Sequence, residues 1–538
     1  MITDERTITP RRTSKYLGMT MDEELRWKPH IQEVKTKATK SIGALASLAG
    51  PTWGMSLKDM RRIYQATVVP QILYGCSAWS ISKDTGLGYT QKTMNTLNSL
   101  QAKAARIISG AFKATSGPAL DTELFLLPMT QQVWKRNAET ASRLLSTHNI
   151  PGLIDFRSFR KKRRKARTTP HLSPLEHIYR RMYQRRGPTI ERQEVILPYL
   201  TPPWWKGPKT YVETDGERAT KKHNQQTENT RNYLHVYTDG SGIGGEIGAA
   251  ATSPMINYTR KAYMGDSTTS TVYAAELQGI RLALEMALDD WNKGSRREKL
   301  IIYTDNQAAI RTVGQPSGRS GAYITADIVR LIDHLQIQKG VQVEVRWVPA
   351  HTGILGNEKA DAAAKEATGW RANSVSAANR AAPPERLYPL QATLKTWIKQ
   401  EVQKEWEYSW TTETRGRTCY KYNPKPTHRV LRLHEKRSKR HSSLLIQMRT
   451  EKIGLRDFLY QRGVPDIAHP RCACGEGRET VMHVLMRCRR FKDLRRQELL
   501  GIPGRSDLRA ILNEHKAATK AINFIEKTQI LGQFRIIE

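Results

Sequence analysis

Four stretches decide the fold of this 538-residue chain: YLHVYTDGSG (Tyr233–Gly242), YAAELQGIRLALEMAL (Tyr273–Leu288), LIIYTDNQAAI (Leu300–Ile310) and WVPAHTGILGNEKADAAAKEA (Trp347–Ala367). VYTD and IIYTD close apolar runs that read as buried strands, and each delivers an aspartate, Asp239 and Asp305, at its carboxyl end. Sheets of α/β folds place ligands at those ends. Leu277, Ile280, Leu284 and Leu288 recur at spacings of three, four and four, which predicts an amphipathic helix over 271–289 capped by Ser270 or Thr271. Glu276 lies beside that apolar stripe, where a carboxylate needs a partner. Asp361 falls on a last helix that begins after the Gly356–Asn357 turn.

Two strand-end aspartates and two helix-borne carboxylates are expected to converge into one anionic cluster. Like charges at close range repel, and divalent cations relieve the repulsion. Hard oxygen donors suit Mg2+, which keeps waters and takes substrate phosphates. Two such ions about 4 Å apart activate water and stabilise the leaving oxygen of a phosphodiester. His351, in the loop HTGILG, is placed to carry a proton as the leaving group or product departs. Each residue taken singly also has a plainer reading. Asp239 is then a turn former, Asp305 a helix cap, Glu276 an exposed glutamate, Asp361 an offset to a helix dipole and His351 an ordinary loop histidine. Their joint occurrence in this order favours the cluster.

TDGS, AAEL, YTDN and HTGILGNEKADAAAKEA together resemble a type 1 ribonuclease H domain, across Tyr233–Trp370. The resemblance implies an α/β ribonuclease H-like core, a five-stranded mixed sheet flanked by helices. It implies cleavage of the RNA strand of RNA–DNA hybrids with two Mg2+ or Mn2+ ions held by Asp239, Glu276, Asp305 and Asp361. His351 would assist turnover, and Ser241 and Asn306 would lie near the RNA strand. Beyond VYTD, strands are expected at GEIGAAATSP, NYTRKAYMG, KLIIYTD and VQVEVRWVPA, and helices at 271–289, 306–313, 323–338 and 357–367.

The formal charge of +36 points to a polyanionic partner, above all nucleic acid. A membrane-surface protein would want a basic amphipathic helix or a lipidation site, and neither is found. No apolar run is long enough to predict a transmembrane helix. The start MITDERTITPRR has no hydrophobic signal core. Five cysteines, three of them clustered, argue against a secreted disulfide scaffold and for a reducing compartment, nucleus or cytoplasm.

Residues 1–150 read as a mostly helical domain. KYLG, the Trp27, His30 and Ile31 pattern, and PQILYG-x-x-x-W at Pro70–Trp79 resemble the thumb or connection region after the palm of non-LTR (LINE-like) retrotransposon reverse transcriptases. The polymerase pattern Tyr-x-Asp-Asp is absent from the sequence, so polymerase activity is not expected. The chain reads as the C-terminal part of a longer polyprotein, in an arrangement resembling fungal elements. Residues 151–230 read as a basic, Pro-rich linker. Its run RSFRKKRRKAR (157–167) suits phosphate binding or nuclear import, or is simply solvated. Trp204 and Trp205 are expected to stack on bases or to dock on a neighbouring domain. Residues 371–440 read as a second basic spacer with a helix at LKTWIKQEVQKEWEYSW, its basic run suiting contact with a phosphate backbone.

The C-terminal region, 441–538, carries Cys472, Cys474, His483 and Cys488 in the spacing C-x-C-x8-H-x4-C. Four such ligands suit a structural, tetrahedral zinc; the alternative is reduced thiols beside a helical histidine. His483 and Cys488 are five apart, which a regular helix does not bring to one face, so a frayed helix end is expected there. CACGEGRETVMHVLMRC resembles the zinc-binding, knuckle-like tail of the same reverse transcriptases. Two rival functions remain: a catalytically silent nucleic-acid-binding remnant, and exonuclease or resolvase chemistry. By resemblance, HTGILG and His351 speak against the latter.

Overall fold

The computed structural model describes residues 11–80, 91–147, 173–228, 232–371, 374–502 and 507–534, and two short strands at 2–3 and 6–7. The basic run 157–167 lies outside the described residues. The chain forms two compact units, one of 1–137, 171–177 and 400–538, the other of 138–170 and 178–399.

The second unit is built on a six-stranded mixed sheet. Its strands are β1 (Lys209–Tyr211), β2 (Tyr233–Ile243), β3 (Glu246–Ser253), β4 (Tyr258–Asp266), β5 (Lys299–Thr304) and β6 (Gln342–Trp347), in the order β1-β6-β5-β2-β3-β4. The first four are parallel, and β2, β3 and β4 form an antiparallel meander. Five strands were expected; the sixth is β1, whose Lys209, Thr210 and Tyr211 pair with Glu344, Val345 and Arg346. It comes from the segment that reads as a linker. All three of its residues are exposed, so no alternation marks it in the sequence.

The helices packed around this sheet include α1 (Gly216–Thr227), α2 (Val272–Asn292), α3 (Gln307–Gly314), α4 (Ala322–Asp333) and α5 (Leu355–Ala367). The central strands are apolar on both faces. Leu234, Val236, Leu300, Ile302, Val343 and Val345 join one buried cluster with Leu277, Ile280 and Leu284 of α2. Tyr237, Ile301 and Tyr303 join another with Ile354 and Ala360. That alternation is the pleat expressed as two cores. Thr271 caps α2, its Oγ1 accepting from the Ala274 N–H at 3.2 Å. Small residues let α5 ride close on the sheet: Ala360, Ala363, Ala364 and Ala367 are buried, and a Cβ on Gly248 would stand 2.3 Å from the Ala364 carbonyl oxygen. Asp215 caps α1, and Trp205 docks on the end of α4 through Nε1 to Asp333 Oδ1 at 2.8 Å, whereas Trp204 stays exposed.

The first unit is helical. Its long helices include Lys28–Ala46 and Gln91–Ser109. The helix Leu57–Ile63 runs through a π turn, Tyr64–Val68, into Val69–Ile72. Pro70 lies just beyond that turn and has no N–H to give, so the wider turn lets the chain pass it without a break. A fully buried ion pair joins Arg449 Nε to Glu123 Oε2 at 2.7 Å. Part of the basic run in 371–440 also turns inward. Lys439 is buried and its Nζ donates to the Ile107 and Ile108 carbonyls at 2.9 and 2.8 Å, while Arg437 Nη2 donates to His515 O at 2.7 Å. These two side chains satisfy buried and part-buried backbone acceptors rather than facing a phosphate chain. Among the described residues, no helix is long and apolar enough to cross a membrane.

Candidate active site

The parallel ladder between β2 and β5 ends with Thr238 opposite Thr304. The next residue on each strand is an aspartate, so Asp239 and Asp305 emerge side by side. β2 continues past this point to pair with β3, Asp239 lying opposite Ala250. The strand therefore does not stop at Asp239 as expected; only its parallel pairing does.

Glu276 arrives from α2 through a close approach of backbone. A Cβ on Gly240 would stand 2.6 Å from the Glu276 amide nitrogen. Glycine at 240 lets α2 touch β2 there, which carries Glu276 to Asp239. One carboxylate oxygen from each of Asp239, Glu276 and Asp305 lies within 4.8 Å of the other two. Thr304 Oγ1 stands 3.5 Å from Glu276 Oε2.

Asp361, on α5, groups instead with His351 and Glu358, again within 4.8 Å. It still acts on the first group, because its charge raises both Asp239 and Asp305. Its own Oδ2 is held by Lys365 Nζ at 2.7 Å, one turn along the helix. Burial, with Asp305 and Asp361 adding and Lys365 opposing, pushes Asp239 up to about 7. Glu276 is pushed up to about 9, first by burial and then by Asp239 and Asp305. Asp305 is raised by burial; His351 opposes this and Asp361 adds to it. Lys365 and His351 thus offset only part of the negative charge gathered here. An all-oxygen donor set with excess negative charge fits hard divalent cations.

His351 is exposed, in a left-handed backbone conformation (φ 52°), at the turn between β6 and α5. Trp347 anchors the start of this turn, its Nε1 donating to Asp305 O at 2.9 Å. Asn306 caps α3, Oδ1 accepting from the Ala309 N–H at 3.0 Å, and its side chain also hydrogen-bonds Glu276. Ser241 is buried on β2 opposite Gly248. Glu358 and Lys365 were not singled out in the sequence. The available signal was spacing: three before and four after Asp361 on one helix, hence one face.

In the first unit, ligand atoms of Cys472, Cys474, His483 and Cys488 lie within 4.8 Å of one another, all four residues buried. Cys472 and Cys488 Sγ are 3.7 Å apart, and Cys474 Sγ is 3.2 Å from His483 Nε2. The frayed helix end expected here is a π turn, His483–Arg487, closed by Cys488 N–H donating to His483 O at 2.8 Å. A five-residue repeat is what brings His483 and Cys488 to one face. The Glu476 N–H points at Cys474 Sγ at 3.5 Å, and Arg495 Nη2 donates to Cys488 O at 2.8 Å. Cys76 and Cys419 lie elsewhere, beside Asn137 and Glu123.

Residues 231–369 match the RNase H family model. Over 154 residues the chain is 27% identical to a probable RNA-directed DNA polymerase from transposon BS of Drosophila melanogaster, 28% of this chain and 16% of that protein. Over 106 residues it is 30% identical to the RNA-directed DNA polymerase from mobile element jockey of the same organism, 20% of this chain and 11% of that protein. The matched stretches thus span less than a fifth of either relative. RNase H1 from the halophilic archaeon Halobacterium salinarum NRC-1 aligns at 19% identity over 25% of this chain and 96% of that chain, with a TM-score of 0.17.

Proposed function

We propose that the RNase H domain of this chain, which is homologous to the RNA-directed DNA polymerases of non-LTR retrotransposons, hydrolyses the RNA strand of RNA–DNA hybrids with two divalent cations, Mg2+ or Mn2+. The observation that carries this reading is the meeting of Asp239, Glu276 and Asp305 at the end of a parallel ladder, with Asp361 acting on them from α5. Asp239, Glu276, Asp305 and Asp361 would hold the ions. When bound, such ions activate the attacking water and stabilise the leaving oxygen. His351, exposed beside Glu358 and Asp361, moves the proton at the departing group. Asn306 positions Glu276 and presents the start of α3 to the RNA strand, and Ser241 on β2 would lie near that strand as well. The charge of +36 supports a polyanionic substrate.

The cysteine-histidine group would hold one structural zinc. Four buried soft or borderline donors, a backbone N–H directed at a thiolate position and a π turn that aligns His483 with Cys488 support this reading.

The test is to incubate the purified chain with a labelled RNA–DNA hybrid in Mg2+, with Asp305→Asn and duplex DNA as controls. Cleavage of RNA alone, lost in the variant, is expected. Hybrid binding without cleavage would overturn it in favour of the silent remnant, a state to which the Lys365–Asp361 pairing lends some support.

A further inference from the structure

The two most exposed large apolar side chains among the described residues are Tyr199, at 85%, and Trp204, at 80%. They lie on one short stretch of chain, and that stretch is fastened. At its start the buried Glu194 carboxylate accepts from the Gly321 N–H at 2.7 Å and the Gln391 N–H at 2.8 Å. At its end Trp205 is pinned to Asp333. Between these anchors a Cβ on Gly318 would stand 2.1 Å from the Leu197 carbonyl oxygen, so backbone presses on backbone there. Pro198, Pro202 and Pro203 each fix their own φ. Tyr199, Pro202 and Trp205 line a surface hollow of about 610 Å³, closed by the loop from Gly314 to Pro316.

A single exposed apolar residue needs no explanation, but two aromatic rings held out to water on a fastened strap call for one. The charges around them point to the occupant. Neither 195–212 nor 314–320 contains an acidic residue. Lys206, Lys209 and Arg319 are exposed, and they join no ion pair among the described residues. We propose that Tyr199 and Trp204 form a stacking platform for single-stranded nucleic acid, with Lys206, Lys209 and Arg319 supplying counter-charge to its phosphates. Aromatic faces take any unpaired base, and cations beside them track the backbone. A duplex keeps its bases stacked on one another and gains little from exposed rings. A proline-rich peptide would use the rings and leave the cations without a role. The prolines of the strap hold the platform in place before the strand arrives, which lowers the ordering cost of binding. The hollow and the carboxylate cluster adjoin opposite ends of α3, Gln307–Gly314, roughly 12 Å of helix apart. The two sites are distinct, and the test reads binding rather than cleavage, so the platform stands or falls independently of the hydrolase reading.

A basic chain attracts any phosphate strand, so the test must isolate the bases. Octathymidylate and an abasic octamer of equal charge are titrated separately into the full chain, without added divalent metal, and followed by fluorescence anisotropy. Octathymidylate is expected to bind about tenfold or more tighter, as base stacking on aromatic side chains confers. Tyr199→Ala and Trp204→Ala are each expected to cut that ratio several-fold, and Trp204→Phe to keep most of it. Both side chains are exposed, so the variants are expected to fold. Equal binding of the two octamers by the wild-type chain overturns the proposal. An unchanged ratio in the folded double alanine variant overturns it as well. Decaproline is the rival probe: if it binds the wild-type chain but not the double variant, while the two octamers bind equally, the hollow is a peptide site instead. Once the ratio is established, octauridylate against octadeoxyuridylate identifies the source of the strand. Tighter octauridylate indicates RNA read through its 2′-hydroxyls, and equal or weaker binding indicates DNA.

Discussion

Asp239 and Asp305 are register neighbours: they follow Thr238 and Thr304, the last opposed pair of two parallel strands. The fold holds their charges together, with Asp239 buried and Asp305 partly buried, and raises both carboxyls. A cation that binds only this folded arrangement must stabilise it by mass action. Mg2+ is therefore expected to raise the melting temperature of the wild-type chain. Asp239→Asn is expected to raise the metal-free melting temperature at pH 8 and to lose the Mg2+ response. Thermal melts with and without metal check this, and an equal Mg2+ response in the variant would refute it.

Lys365 occupies an oxygen of Asp361 that a metal would otherwise share. The pair is partly exposed, so its loss should change stability by only about 0.3–0.5 kcal/mol. Lys365→Met removes a competing cation from the site. The Mg2+ concentration giving half of the thermal shift is expected to fall several-fold, with only a small downward shift in the metal-free melt. An unchanged or higher requirement would show that Lys365 does not compete.

Gly240→Ala places a methyl 2.6 Å from the Glu276 amide. Backbone on backbone cannot yield by rotating a side chain, so α2 must move off β2. A loss of about 1–3 kcal/mol is expected from overpacking of this kind, measured by urea unfolding. Hybrid cleavage should fall further than stability does, because Glu276 travels with the helix.

For the cysteine-histidine group, metal analysis of the purified chain is expected to give one zinc. Cys488→Ser should release it and lower the melting temperature by several degrees, as should a strong chelator. A zinc-free protein whose melt is indifferent to both treatments would leave four reduced side chains and nothing more.

Asp121 gives a pH prediction. Its folded value of about 7 lies above the ordinary 3.8, so the folded state binds the proton more tightly than the unfolded one. The contribution of the protonated acid is complete below 3.8 and is lost as pH rises towards 7. Asp121→Asn keeps the neutral form at every pH. Its stability, followed by urea unfolding, is expected to decline less than the wild type's across that window; parallel curves would contradict the assignment.

The meeting of Asp239, Glu276 and Asp305 was legible because each sits where periodicity changes, at the end of an apolar run or beside an apolar helix stripe. The order of the motifs did the rest. What stayed hidden depends on geometry that no local pattern encodes. β1 is short and exposed, so it carries no alternation. The π turn at His483–Arg487 has the composition of an ordinary helix, and only the spacing to Cys488 hints at its wider pitch. Lys439 and Arg437 read as surface charge, because nothing local shows that carbonyls of distant segments await them. Glu358 looked like a first-turn helix residue, which it also is.

β1 has a practical consequence. The stretch that matches the family begins at residue 231, but the strand covering the outer side of β6 lies at 209–211. A fragment cut at 231 would bare a row of backbone donors and acceptors along Gln342–Trp347. Open edges of that kind recruit strands from other molecules. Such a fragment would be prone to self-association, and its failure to stay in solution would say nothing about the chemistry of the carboxylates. A fragment that begins upstream of Lys209 carries its own guard against aggregation.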